Sequence, residues 1–112
     1  MSTKNTLFLT GTLLFAFAGT NAYAAVDQAG AMKLLKESKC LNCHDVSKTK
    51  KARSYKDIAA AYKGNPAAAA AVTKHITEPS QIVIDDEVVD HGNAKTKDPA
   101  KVKNLVEWIL SR

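Results

Sequence analysis

Beyond residue 24 the chain has a single methionine, Met32, a single tryptophan, Trp108, and only two cysteines, Cys40 and Cys43. Two cysteines separated by two residues cannot staple distant parts of a chain, which excludes a disulfide framework as the source of stability. Aromatic residues are sparse and no Lys/Arg stripe is interleaved with them, which argues against nucleic acid as a partner. No apolar run after residue 24 approaches the roughly 20 residues of a membrane span. There are no internal repeats and no signs of a second domain. What is left is one small domain, which at such a size buries only about 60% of its unfolded surface. Small exported domains usually offset this with disulfides or a bound group. With disulfides excluded, a large bound cofactor is the physical expectation.

The first 24 residues stand apart. "MSTKNTLFLTGTLLFAFAGTNAYA" carries one charge, Lys4, then an apolar run from Leu7 to about Gly19, and ends in the small-x-small triplet Ala22-Tyr23-Ala24. This is the anatomy of a secretory signal peptide cleaved near Ala24. Residues 25–112 are then the mature, exported domain. The formal net charge of the whole chain is +5, and losing Lys4 lowers it by one. A basic balance of this size suits steering toward an acidic partner.

Periodicity predicts four helices. The first spans about Asp27 to Lys39, with apolar Ala31, Leu34 and Leu35. The second opens at Ser54 with Asp57 completing a capping box, and carries Ile58, Ala59 and Tyr62 on one side. The third starts at Asn65-Pro66 and runs through "AAAAAVTKHI" to the stop at Glu78-Pro79. The last opens at Asp98-Pro99, and Val102, Leu105, Val106, Ile109 and Leu110 recur at helical spacing with Trp108 at their edge. Residues 80–97 have no helical period. Since a lone strand would have no partner, an irregular loop is expected there, its apolar Ile82, Val83, Ile84, Val88 and Val89 covering a ligand.

The chemistry is concentrated in "KESKCLNCHDV", residues 36–46, where His44 directly follows Cys40-x-x-Cys43. Three chemistries use such a unit. Two thiols one helical turn apart can add across the vinyl groups of a haem, with the next residue's imidazole placed on the iron. A dithiol redox pair normally opens a helix after a strand, and no strand–helix alternation is present. Structural zinc wants four ligands, and neither a second cysteine pair nor a paired His75/His91 motif exists. The pattern favours haem.

With these residues in view, the chain from about Asp27 to Arg112 resembles the small bacterial class I cytochromes c. The matching pieces are the N-terminal helix, Cys40-Leu41-Asn42-Cys43-His44, "YKDIAAAYKG" from Tyr55 to Gly64, and the final "LVEWILS". The resemblance implies an all-α class I fold, about four helices around one covalently attached haem c. It implies a crossing of the first and last helices in which Gly30 or Leu34 meets Trp108 or its neighbours. It also implies a monomeric electron carrier, not an enzyme, serving periplasmic redox proteins. Cys40 and Cys43 would carry the thioethers and His44 would be the proximal iron ligand. The basic run Lys48, Lys50, Lys51, Arg53 and Lys56 would dock an acidic-surfaced partner.

Two departures from the family pattern carry weight. The Gly-Pro pair whose carbonyl orients the proximal imidazole is replaced by Ala52-Arg53-Ser54, so another carbonyl must take that bond. The distal methionine is absent. His91 in "VVDHGNAK" stands where the methionine segment should fall, with Gly92 letting the backbone turn, Asn93 after it, and Asp90 able to hold the far imidazole nitrogen. It is the expected distal ligand; His75, Met32, Asn93, a lysine or an open position are the alternatives. Two imidazoles lack the preference of a thioether for Fe(II), so a low potential is expected, pushed lower if the acidic Asp85, Asp86, Glu87 and Asp90 lie near the ring. An open position would instead make a haem protein binding NO, CO, O₂ or peroxide. Intact-mass measurement of the exported protein should find a chain starting at Ala25; retention of residues 1–24 would mark an uncleaved anchor.

Overall fold

The computed structural model describes residues 25–112. The expected signal peptide, residues 1–24, lies outside the described residues. Helix α1 spans Gln28–Glu37, capped by Asp27, whose carboxylate accepts from the Gly30 N–H at 2.9 Å. A Cβ at position 30 would meet that carboxylate, which would have to shift to make room. After α1, Lys39 takes a left-handed conformation (φ 59°) and the chain enters a short 3₁₀ turn, Cys40–Asn42. Helix α2, Tyr55–Tyr62, begins where Ser54 Oγ accepts from the Asp57 N–H at 3.1 Å. Helix α3, Ala68–Thr77, starts two residues later than Pro66. The Asn65 side chain accepts from the Ala67 N–H at 2.9 Å, holding residues 65–67 as a turn ahead of the helix. Helix α4, Pro99–Leu110, has Asp98 as its cap and proline at the first position, as expected.

The four helices make an all-α fold with one small hairpin. Helices α1, α2 and α3 each pack on α4. The core is built from Ala31, Leu34 and Leu35 of α1, Val72 of α3, and Val102, Leu105, Val106, Trp108 and Ile109 of α4. Trp108 does not sit at the edge of the α4 stripe: it is only 1% exposed, with Tyr55 edge-on at 5.5 Å and the Arg112 guanidinium over its ring at 4.5 Å. Asn104 clamps α1 to α4, accepting from the Asp27 N–H at 2.8 Å and donating to the Asp27 carbonyl at 2.9 Å.

The irregular loop expected over residues 80–97 is corrected in its first half. Strands β1, Gln81–Ile84, and β2, Glu87–Asp90, form an antiparallel hairpin, with Val83 opposite Val88 and Gln81 opposite Asp90. The partner that a lone strand would lack comes from within the segment itself. Asp85 and Asp86 form a two-residue turn at φ 51° and 66°, a left-handed geometry that aspartate tolerates better than most residues. Ile82 and Ile84 are half-buried on one face, while Val83 and Val88 are exposed on the other.

Leu35 has no exposed surface, so Leu35→Ala should cost about 2–5 kcal/mol in denaturant unfolding of the intact protein. Val83→Ala, at a site 67% exposed, should change stability by less than about 0.5 kcal/mol.

Candidate functional site

A cleft of about 430 Å³ opens between the helices and the hairpin. Leu35, Ile58, Val72, Leu105 and Ile109 form its helical walls, and Ile82, Val83, Ile84 and Val89 close it from the hairpin side. Four of the five apolar residues expected to cover a ligand therefore line it; Val88 does not, and is 65% exposed. Cys40, Cys43, His44, His75 and His91 all face this one cleft. Its rim carries Lys39, Lys51 and Arg53 and also Asp90.

Cys40 opens the 3₁₀ turn and Cys43 closes it, its N–H donating to the Cys40 carbonyl at 3.2 Å. Burial pushes the Cys40 thiol above its usual pKa, and the neighbouring Tyr55 hydroxyl offsets part of that. Burial likewise raises the Tyr55 phenol. His44 follows the turn, its N–H bonded to the Cys40 carbonyl at 3.0 Å. Among the described residues no three His, Cys, Asp or Glu side chains gather into a set able to hold a bare metal ion, so the zinc alternative finds no donor set. The hairpin is antiparallel and provides no strand leading into a helix at Cys40.

The carbonyl that takes the place of the Gly-Pro pair is that of Arg53. His44 Nδ1 lies 2.6 Å from it and donates in the tautomer protonated there, leaving Nε2 for the cleft. No proline is needed, because the backbone holds the segment in place. Ala52 N–H donates to Cys43 O, Tyr55 N–H to Asp45 O and Lys56 N–H to Val46 O, at 2.9, 3.0 and 3.0 Å. The Tyr55 ring stacks on the imidazole with centroids 5.0 Å apart and planes inclined by 28°. Sequence reasoning missed Tyr55 as a site residue. Its signal was its place directly after the buried helix cap Ser54, which sends the first helical side chain inward.

His91 comes directly after β2. Its N–H donates to the Ser80 carbonyl at 2.8 Å, extending the hairpin ladder one pair beyond Gln81 and Asp90. Its ring centroid is 6.4 Å from that of His44, the planes crossing at 70°. Burial, and then the nearby His75 and His44, hold its pKa below the usual histidine value. Asp90 does not hold the far nitrogen: its carboxylate points to Gln81 Nε2 at 3.5 Å, and His91 Nδ1 is buried without a hydrogen-bond partner. Gly92 does not take a positive φ, and a side chain there would fit, so the turn does not depend on it.

The other candidates fall in different places. His75, on α3, is exposed, but its ring rests on that of His91 with centroids 4.1 Å apart. Met32 packs half-buried against the core and does not line the cleft. The Asn93 side chain is engaged with the Thr77 carbonyl at 3.3 Å.

No family model and no curated protein matches the chain. Solved structures do. The class 1 cytochrome MtoD from Sideroxydans lithotrophicus ES-1 is 39% identical, with a TM-score of 0.73, the match covering 78% of this chain and 97% of that one. Wild-type cytochrome c552 of Nitrosomonas europaea is 29% identical over 71% of this chain and 96% of its own, with a TM-score of 0.56. The solution structure of ferrocytochrome c-552 from the same organism gives 32% identity, 70% and 94% coverage, and a TM-score of 0.51.

Proposed function

The chain belongs to the class I c-type cytochromes, and from that premise we propose that it is an exported, periplasmic monohaem electron carrier with histidine on both faces of the iron. It is an electron-transfer protein and not an enzyme. In this reading Cys40 and Cys43 form the thioethers of one haem c, His44 is the proximal ligand and His91 the distal one. A bound haem would supply the one-electron Fe(III)/Fe(II) couple.

The observation that carries the reading is the spacing of the two imidazoles. Metal–nitrogen bonds of about 2 Å place the centroids of two opposed imidazoles about 6.3 Å apart. The rings of His44 and His91 are 6.4 Å apart within a cleft that also presents both cysteines. The residues present therefore fit the group. The His44 ring is oriented by the Arg53 carbonyl and by Tyr55, and the His91 backbone is held by its bond to Ser80. Both are held by backbone, so little rearrangement of the chain accompanies a change of charge in the cleft. Neither ligand brings the preference of a thioether for the reduced state, which favours a low potential.

His91→Ala should convert a six-coordinate low-spin visible spectrum into a high-spin one that binds carbon monoxide. An unchanged ligand-field spectrum would remove His91 from the iron. High-spin iron in the unaltered protein, open to carbon monoxide, would instead favour a ligand-binding haem protein. The run Lys48, Lys50, Lys51, Arg53 and Lys56 offers an acidic redox partner a docking surface. Electron transfer to such a partner should slow as ionic strength rises, and charge reversal at Lys48 and Lys56 should flatten that dependence.

A further inference from the structure

An imidazole that ligates a metal almost always donates its other N–H to an acceptor that fixes the ring. On the His44 side that acceptor is the Arg53 carbonyl. On the His91 side it is missing from the side chains: Asp90 is turned to Gln81, and Nδ1 is buried with no partner.

The last turn of α3 supplies a backbone candidate. The carbonyls at a helix C-terminus have no intrahelical donor and are taken by other groups. The Lys74 carbonyl accepts from the Glu78 N–H at 2.9 Å. The Ile76 carbonyl accepts from the Ala94 N–H at 2.8 Å, and the Thr77 carbonyl from Asn93 Nδ2 at 3.3 Å. Both of those donors belong to the segment that carries His91, so residues 91–94 run along this turn. The His75 carbonyl stands between the two kinds of partner. Its regular donor would be the N–H of residue 79, and residue 79 is a proline, which has none. No described residue donates to it. The rings of His75 and His91 are 4.1 Å apart, so the His91 imidazole, its Nδ1 unpaired, lies against the residue that carries this carbonyl.

We infer that His91 Nδ1–H donates to the backbone carbonyl of His75 when Nε2 is on the iron, and that Pro79 is the positioning residue that keeps this carbonyl free. The inference rests on the reading of His91 as the distal ligand. One unpaired donor and one unpaired acceptor then satisfy each other, and both iron ligands are oriented in the same manner, by main-chain carbonyls and through Nδ1. Ser80 next to the proline fixes the other end of the device, because its carbonyl holds the His91 backbone N–H. The sequence Glu78-Pro79-Ser80 thus does more than stop a helix.

Replacing Pro79 by Ala restores an N–H four residues after His75, which competes for the carbonyl and lengthens α3 by one bond. In the haem-loaded Pro79→Ala protein, carbon monoxide should displace the distal ligand about tenfold faster or more. Glu78→Ala, which adds no donor, should leave that rate unchanged. Proton NMR of the ferric unaltered protein should show two slowly exchanging imidazole N–H signals, one from each axial histidine. Only the His91 signal should become fast-exchanging in Pro79→Ala. A His91 Nδ1–H that already exchanges fast in the unaltered protein would overturn the inference, whether or not the variant folds. So would a Pro79→Ala protein with the unaltered displacement rate. Failure of the His91 reading itself looks different: His91→Ala would then leave the spectrum as it was.

Discussion

Helix α4 is the surface on which α1, α2 and α3 all pack, and the positions of both histidines follow from that arrangement. Its buried face, from Val102 to Ile109, gives three short helices of eight to ten residues a common partner. Such helices are marginal in isolation, and amphipathic packing supplies most of their stability. Packing α1 fixes where the Cys40 turn leaves it. Packing α2 fixes Tyr55 against Trp108 on one side and His44 on the other. Packing α3 fixes the turn along which the His91 segment runs.

On this frame the candidate site is assembled mainly by backbone. His44 is held through the Arg53 carbonyl, the His91 backbone through the Ser80 carbonyl, and the segment after His91 through the carbonyls of Ile76 and Thr77. Side chains enter as walls and stacking partners. This division suits an electron carrier: hydrogen bonds that belong to the fold cannot rotate away as side chains do, so the geometry around the cleft is nearly independent of charge within it. It also explains how the family's Gly-Pro pair can be absent. The bonds from Ala52, Tyr55 and Lys56 to the 43–46 segment present the Arg53 carbonyl to the imidazole without a rigid residue.

The hairpin carries the acidic cluster of the 80–97 segment. Its inner face, Ile82 and Ile84, helps close the cleft, while its tip carries Asp85, Asp86 and Glu87. Negative charge at that tip, if it acts on a bound iron, favours the ferric state, in the same direction as a second imidazole.

The four helices, the caps at Ser54 and Asp98, and the Cys40-x-x-Cys43-His44 unit were legible from the sequence, because each depends on residues close together in the chain. His91 was singled out because the chain offers few metal-binding side chains and because it stands where the family's methionine segment would fall. The hairpin was missed because its two strands are four residues each, joined by Asp-Asp in place of the usual glycine turn. Three things were decided only by the tertiary structure: which carbonyl receives His44 Nδ1, the burial of Trp108, and the meeting of His75 with His91 sixteen residues on. A local pattern says which side chains share a face of one helix. It does not say which backbone carbonyl another segment will find unpaired, because that depends on how two elements lie against each other.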